Sequence, residues 1–182
     1  MMARVTNNDG EVIWIDPLRR VFVLGTHLNA QQSQNAAGNT FSLIVDGISG
    51  AGADDYVLYF ENIGTYELNI NSIFSMATAA TTLWFDHVSG TPAYVSATTT
   101  GRTNRRLGAP NNPVIDSRYD TNITGLTQEG QLLFERIDVV NQQFELNSDD
   151  SFVIDPNEAF AIRSSNPAAS ITLEIGLGIN LV

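Results

Sequence analysis

The sequence predicts an all-β protein, an antiparallel sandwich of short strands with minor helical turns. Every second residue over positions 171–181 is Ile or Leu, which is the period of a strand that buries one face. Apolar runs of strand length recur at a spacing of roughly ten residues, separated by clusters of Gly, Pro, Asn, Asp and Ser. No segment carries a convincing helical period of about 3.6 residues, so we expect helices to be minor.

Length and composition predict one domain with an extension at its amino end. The chain has 182 residues, of which 43% are apolar. This length and apolar content are sufficient for a single domain with a substantial hydrophobic core. We expect residues 1–20 to form an arm or extension and residues 21–182 to form one sandwich. The arm is expected because a short apolar run around Trp14, which could bind another surface, precedes the charged pair Arg19 and Arg20.

The individual elements are predicted from alternation and turn signals. Apolar and polar residues alternate over positions 66–71, and the phase shifts at Ser72, which indicates a bulge or a strand end. Asn166 and Pro167 break the chain before the last strand, in the manner of a hairpin with a longer loop. Positions 127–136 fit a helix or a strand, and positions 75–82 could form one helical turn. The remaining strands are expected at 21–24, 41–45, 56–60, 83–85, 132–140, 152–154 and 159–163.

Composition excludes several classes of function. The chain has no Cys, so disulfides, a thiolate nucleophile and a thiolate metal site are excluded. All nine cationic residues are Arg, which removes lysine-based catalysis and a phosphate-loop lysine. The net charge of −11 repels polyanions, so we expect no nucleic-acid partner. No apolar run is long enough for a membrane span, and the first residues do not resemble a signal peptide.

Candidate catalytic and ligand-binding features have ordinary explanations. The glycine-rich positions 47–52 lack both the nucleophile-elbow spacing and the phosphate-loop lysine, and we expect a loop between strands. His27 and His87 lie far apart in the sequence, and His87 is expected at a strand edge. The acidic clusters at 54–55 and 149–158 do not have calcium-loop spacing and are expected to be solvated turns. The sequence therefore predicts no cofactor and no metal site.

One short segment is basic. Arg102, Arg105 and Arg106 precede a Gly- and Pro-containing stretch that ends at Pro113. The composition predicts a long, extended loop rather than a helix or a strand. Such a loop on an acidic body can dock on an acidic partner or on another copy of the chain, or it can simply aid solubility.

Four segments carry a resemblance to a known family. They are the aromatic strand at 56–62 (YVLYFEN), the Asn-punctuated strand at 67–74 (ELNINSIF), the Asn- and Arg-bearing loop after it, and the turn and strand at 155–162 (DPNEAFAI) before a glycine-containing last strand. Over residues 21–182 this succession resembles the jelly-roll decoration, or cement, proteins of tailed bacteriophage heads.

The resemblance implies a jelly roll of the tumour-necrosis-factor type and no enzymatic activity. It also implies a homotrimer that is assembled in the host cytoplasm, sits on the capsid exterior and clamps adjacent subunits of the major capsid protein. The acidic charge agrees with an outward position, because it would be repelled by packaged DNA. The family supplies no motif for contact residues, and our candidates come from the arm and the basic loop: Trp14, Arg19, Arg20, Arg102, Arg105 and Arg106.

Two other functions remain open from the sequence. A glycan- or receptor-binding module would share the sandwich and would expose aromatic rings in a groove, for which Trp84, Tyr94 and Tyr119 are candidates. A hydrolase on the same scaffold would need His27 or His87 beside carboxylates in a cleft.

Overall fold

The protein is described by a computed structural model, which covers residues 3–6, 12–15, 21–24, 37–110, 114–138, 143–146 and 152–180. The chain divides into two compact units, Met1–Ser33 and Gln34–Val182. The first unit contains a small antiparallel sheet in the order β1-β2-β3. Its strands are β1 (Ala3–Thr6), β2 (Val12–Ile15) and β3 (Val21–Leu24). The division therefore falls later in the chain than residue 20, and the strand at 21–24 pairs within the first unit.

The second unit is an antiparallel β-sandwich, which confirms the fold class expected from the sequence. Its strands are β4 (Thr40–Ile48), β5 (Asp55–Asn62), β6 (Glu67–Ala77), β7 (Thr81–Tyr94), β8 (Thr98–Thr99), β9 (Gly101–Asn104), β10 (Ile115–Ile137), β11 (Gln143–Leu146), β12 (Phe152–Ile154), β13 (Ala159–Ser164) and β14 (Ile171–Asn180).

The strands are distributed between two sheets. Sheet I has the order β9-β4-β14-β6, and both β11 and β12 pair with the far side of β6. Sheet II has the order β5-β13-β7-β10-β8. Successive long strands often lie in opposite sheets, so that β4, β6 and β14 alternate with β5, β7 and β13. This is the strand order of a jelly roll.

The topology corrects one expectation about the end of the chain. β13 and β14 are consecutive in sequence but belong to different sheets. The break at Asn166 and Pro167 is therefore a crossing from one sheet to the other, and the predicted hairpin is wrong. The Asn166 side chain holds this crossing by donating from Nδ2 to the carbonyl of Ala80, at 2.8 Å.

The core lies between the two sheets. The alternation at the end of the chain places Ile171, Leu173, Ile175 and Leu177 of β14 in the interior, each at most 1% exposed. Aromatic rings fill the side of sheet II, where Phe160 stacks on Phe60 at a centroid distance of 4.9 Å. Burial of this continuous apolar cluster is the main driving force for the fold.

β10 is a long strand that pairs with other strands of sheet II, β5 and β7 among them. Its first half pairs with β5 and its second half pairs with β7, with a shift of register between Tyr119 and Ile123. A second apolar cluster forms there from Tyr59, Ile123, Ala161 and their neighbours. Ala161 faces away from its chain neighbours Phe160 and Ile162, which belong to the main core. Sheet II therefore has apolar contacts on both of its faces.

The sequence predicted the bulge at Ser72 correctly, whereas the helical turn that it allowed at positions 75–82 is absent. The register between β6 and β14 shifts between the pairs Gly176–Ser72 and Leu177–Ile70. Positions 127–136 are strand, within β10. Positions 75–82 contain the end of β6, a bend and the start of β7 rather than a helical turn. Among the described residues there is also no helix long and apolar enough to cross a membrane.

Candidate contact surface

The basic segment begins in a strand. Arg102 lies in β9, which pairs with β4 and is the edge strand of sheet I. Arg102 is partly buried, and its guanidinium donates to the backbone carbonyl of Ile115 at 3.4 Å. The prediction of one long extended loop is therefore wrong for positions 101–104. After the strand, positions 105–110 form a turn, which we call the basic turn.

Asn104 holds the basic turn in one conformation. Asn104 is 4% exposed, and its Nδ2 donates to the carbonyls of Gly38, at 2.9 Å, and Pro110, at 3.1 Å. Its Oδ1 accepts from the backbone N–H of Arg106 at 2.8 Å. A further backbone bond, from Ala109 N to Arg106 O, closes the turn at 3.1 Å. One buried amide thus connects both ends of the turn to the segment before β4.

Arg105 lies flat on the outer face of sheet I. Its Nε donates to Ser42 Oγ at 3.0 Å. The guanidinium covers Gly176 of β14, where an added Cβ would lie 2.6 Å from Nη2 and would also collide with Ser72 Oγ. Gly176 of the last strand therefore makes room for two side chains, those of Ser72 and Arg105.

Arg106 and Leu107 form the tip of the basic turn. Both are exposed, and Leu107 is 96% exposed, the largest value among the exposed large apolar residues. Within the described part of the chain, none of the ion pairs includes Arg105 or Arg106. A depression of about 520 Å³ lies beside the tip, lined by residues that include Phe41 and Ile179. The turn thus presents a cation, an apolar side chain and an adjacent hollow together.

The three predicted contact residues of the basic segment have different surroundings. Arg102 supports β9, Arg105 covers sheet I and Arg106 points to the tip. The backbone of Trp14 lies in β2, opposite Arg4 and Phe22. The side chain of Trp14 lies outside the described part of the structure, as do Arg19 and Arg20. Sequence reasoning missed Leu107 and Asn104, because a single exposed leucine and a single asparagine in a polar loop carry no pattern.

His87 is placed differently from the expectation. It lies within β7, between β13 and β10, and so it is not at a strand edge. Its Nε2 lies 2.6 Å from Oε2 of Glu158, with 39% and 51% of the two side chains exposed. The pair lines a cavity of about 350 Å³, and none of the residues that line this cavity is Ser, Thr or Cys. The cavity thus offers an imidazole and carboxylates but no hydroxyl or thiol side chain, and His27 lies outside the described residues.

The described acidic residues at 54–55 and 155–158 lie in turns or directly beside them. Asp55 accepts a hydrogen bond from the backbone N–H of Gly52 at 2.5 Å, and Asp54 has a positive φ of 64°. Asp155 accepts from the N–H of Glu158 through its backbone carbonyl, at 3.1 Å. Among residues that the structure describes, no group of three or more His, Asp or Glu side chains could hold a metal ion. Asp149 and Asp150 lie outside that part of the chain.

Among the residues that the structure describes, three carboxylates are buried, each with its own partners. Asp86 is completely buried and accepts from Arg163 Nε at 2.5 Å and from Gln128 Nε2 at 2.9 Å. Burial opposes ionisation of Asp120, but backbone N–H groups of Ser96, Thr121 and Val95 donate to it and lower its pKa below the ordinary value. Burial raises the pKa of Glu135, against the effect of a hydrogen bond from Ser75. All three carboxylates therefore form hydrogen bonds with other residues of the sandwich or of its turns.

The aromatic candidates also occupy different environments. Tyr94 packs in the second apolar cluster, where burial, with a smaller effect from Asp116, raises its pKa to about 12. Tyr119 packs against the main core. Trp84 lies on the outer face of sheet II beside a groove. Trp84 alone of the three lines one of the described depressions.

No family model, curated protein or solved structure matches the chain.

Proposed function

We propose that this chain is a non-enzymatic structural protein of a virion. In this proposal it binds the outer surface of the capsid as a homotrimer and clamps adjacent subunits of the major capsid protein. The β-sandwich serves as a rigid body, and the basic turn makes the contact with the capsid. The proposal rests on the resemblance to phage decoration proteins and on the geometry of this turn.

The observation that carries the proposal is the fixed tip formed by Arg106 and Leu107. Binding through a flexible loop loses affinity, because the loop must be ordered on contact. Asn104 removes most of that loss, since it already bonds to both ends of the turn. An arginine beside an apolar side chain is also a favourable pair for the centre of a protein interface, because together they provide charge-assisted hydrogen bonds and apolar area.

The charge distribution supports an acidic partner surface. The whole chain carries a net charge of −11, whereas residues 101–120 contain four arginines and two acidic residues. An acidic surface would repel most of the body and attract this segment, which would orient the protein as it approaches. Because the contact would be exposed and charged, salt should weaken it.

Trimeric assembly would turn a weak contact into a stable one. A single turn with two anchor side chains offers little area for binding. When three copies are joined in one body, the second and third contacts form at a high effective concentration, and avidity rises by orders of magnitude, roughly 10²–10⁴. Outer-surface decoration is therefore a function that a small contact on each subunit can support.

Co-sedimentation with undecorated capsids tests the proposal. The capsids are assembled from the major capsid protein encoded by the same genome, and the full chain is added at low salt. The test variant is Arg106→Ser with Leu107→Ser. The control variant, Arg136→Ser with Val95→Ser, removes the same charge and an exposed valine from other sites, since Arg136 is 68% and Val95 is 79% exposed.

We expect the wild-type protein and the control variant to load equally, with less loading as the salt concentration rises. The test variant should need at least about tenfold more protein for half-saturation, because both anchor side chains of each turn are removed. Equal loading of the test and control variants would reject the role of the basic turn. Absence of wild-type loading at low salt would reject the decoration function itself.

A further inference from the structure

We propose that the outer face of sheet II carries a binding site for neutral saccharides, centred on Trp84 and Phe134. This inference does not depend on the decoration function, because the residues involved lie in sheet II, away from the basic turn of sheet I. Three observations support it. Two aromatic side chains lie next to each other in a groove, an arginine contacts the ring of Trp84, and the charged side chains at the rim of the groove form an ion pair with each other.

The groove is built on three adjacent strands. Phe134 of β10, Trp84 of β7 and Arg163 of β13 are direct partners in the two ladders and so form one row across the sheet. Phe134 is 55% exposed. The hollow beside this row has a volume of about 390 Å³, within the usual range for small-ligand sites.

The indole ring of Trp84 is held by a neighbouring arginine. The guanidinium carbon of Arg163 lies 4.4 Å from the centroid of the Trp84 ring, which is a close cation–π contact. Arg163 is held in turn by Asp86, whose side chain is 0% exposed, through the 2.5 Å hydrogen bond from Nε. Asp86 also accepts from Tyr56 and Gln128. The ring is therefore oriented before any ligand arrives, which lowers the entropic cost of binding.

The rim supplies polar groups of the kind that bind hydroxyls. Arg136 and Asp138 line the groove and form an ion pair, with Nε and Oδ1 2.7 Å apart and both side chains more than 60% exposed. Thr82 and Ser165 also line it, and Ser165 Oγ accepts from the backbone N–H of Thr82 at 2.8 Å. Planar charged side chains and hydroxyls can pair with several ring hydroxyls at once.

A saccharide fits this combination better than other ligands do. One face of a pyranose ring presents C–H bonds, which carry a small positive charge and pack on the negative face of an aromatic ring. Its hydroxyls lie at the rim of that face, where the polar side chains of the groove are placed. A sugar therefore matches both halves of the site, the aromatic centre and the polar border.

The charge balance favours a neutral ligand. Arg136 at the rim of the groove is paired with Asp138, and Arg163 next to Trp84 is paired with Asp86, so neither arginine contributes excess positive charge. An acidic sugar would gain little from them and would be repelled by a chain of net charge −11.

The main chain argues against a peptide ligand. The backbone of β7 beneath the groove is paired with β13 on one side and with β10 on the other. Peptides that add to a sheet bind chiefly through free main-chain N–H and C=O groups at an edge. At Trp84 these groups are already used, so recognition must come from side chains.

The test measures binding of defined sugars by the full chain. An array of neutral and acidic oligosaccharides is probed first, and each hit is measured by isothermal titration calorimetry. Phe134→Ala is the main variant, because an exposed side chain can be removed with little effect on folding, and Trp84→Ala is the second. The matched control is Tyr66→Ala, which removes another exposed aromatic residue, 45% exposed, from a different part of the molecule.

We expect the wild-type protein and Tyr66→Ala to bind at least one neutral oligosaccharide with equal affinity. Phe134→Ala and Trp84→Ala should each weaken binding about tenfold, the effect of losing one aromatic stacking contact. No neutral hit, a preference for acidic sugars, or hits that both groove variants bind normally would overturn the proposal. A change of native mass in Phe134→Ala would also overturn it, because the face would then be a contact between copies of the chain.

Discussion

Ser75 of sheet I donates a hydrogen bond of 2.5 Å to Oε2 of Glu135 of sheet II, across the interior of the sandwich. Ser75 is 0% exposed and Glu135 is 4% exposed. Within the described part of the chain, the other carboxylate oxygen, Oε1, has no hydrogen-bond partner. A carboxyl group in this position is costly when it is ionised, because burial removes the water that would stabilise its charge. This accounts for its raised pKa.

Glu135→Gln should make stability less dependent on pH. The pKa of Glu135 is raised above the ordinary value of 4.5 in the folded state, chiefly by burial. Its stabilising effect is therefore full below that value and is lost as the pH rises through the folded pKa. The variant should match the wild type in acid and should melt at a higher temperature at neutral pH. Thermal unfolding at several pH values measures this difference.

Glu129→Gln is the control for this prediction. Glu129 lies in the same strand and accepts a hydrogen bond of 2.5 Å from Ser89, but at an exposed position. Because water screens its charge, the substitution should leave the pH dependence unchanged. If Glu129→Gln and Glu135→Gln had the same effect, burial of Glu135 would not be the cause.

Asp120→Asn should destabilise the protein, and the effect should fade in acid. Asp120 accepts from the N–H groups of Val95 and Ser96 through Oδ2, and from that of Thr121 through Oδ1, each at 2.6 Å. An amide can accept through only one of its two terminal atoms, so at least one of these charge-assisted hydrogen bonds is lost, at a cost of about 1–3 kcal/mol.

The direction of the pH effect is set by the lowered pKa of Asp120. Its ionised form is stabilised in the fold, so its contribution is present above the ordinary value of 3.8 and is lost as the pH falls through the folded pKa. Urea unfolding at neutral and acidic pH measures the cost of the substitution. Asp116→Asn in the same strand, where the carboxylate pairs with exposed Arg118, is the control and should cost little. A loss in Asp120→Asn that is the same at every pH would refute this account.

Local alternation predicted the elements whose pattern is continuous. The last strand was clear because its interior residues, such as Leu173 and Ile175, keep strict alternation. Positions 127–136 of β10 could not be distinguished from a helix because the register with β7 shifts twice there, between Gln128 and Gly130 and between Gln131 and Leu133. Each shift adds a residue to one strand and so breaks the period of two.

Connections between the sheets and contacts between distant strands could not be predicted from the sequence, for a different reason. A hairpin and a crossing between sheets have the same local pattern of strand, turn and strand, so the break at Asn166 could not distinguish them. Arg105 reaches Gly176 and Trp84 meets Arg163 only after distant strands have paired. The candidate sites depend on such contacts. For this reason the sequence indicated the basic segment, but neither the hydrogen bonds by which Asn104 holds the basic turn nor the exposure of Leu107.

Gly176→Ala should destabilise the protein by about 1 kcal/mol, since the new methyl group would collide with two side chains. An added Cβ lies within contact distance of Ser72 Oγ and of Arg105 Nη2. Combining it with Ser72→Ala should recover part of the loss. Gly130→Ala is the matched control, because a Cβ at that strand position meets nothing within 4 Å. Chemical denaturation of all four proteins gives the free energies, and equal values for the two glycine substitutions would contradict this packing.

Asp86→Asn should destabilise the protein by about 3 kcal/mol, because it leaves Arg163 without its buried partner. The same substitution at Asp138, whose pair with Arg136 is exposed, should change the free energy of unfolding by less than about 1 kcal/mol. Urea denaturation distinguishes the two effects. If both variants lost the same stability, Asp86 would not be the support of the Trp84 and Arg163 contact.

The most direct measurement of the proposed function is a cryo-electron microscopy map of undecorated capsids incubated with the full-length protein. The account predicts added density on the outer surface, arranged as trimers at local three-fold positions, with the basic turn of each copy facing the capsid. Capsids that remain bare at saturating protein and low salt, or density confined to the inner surface, would contradict it.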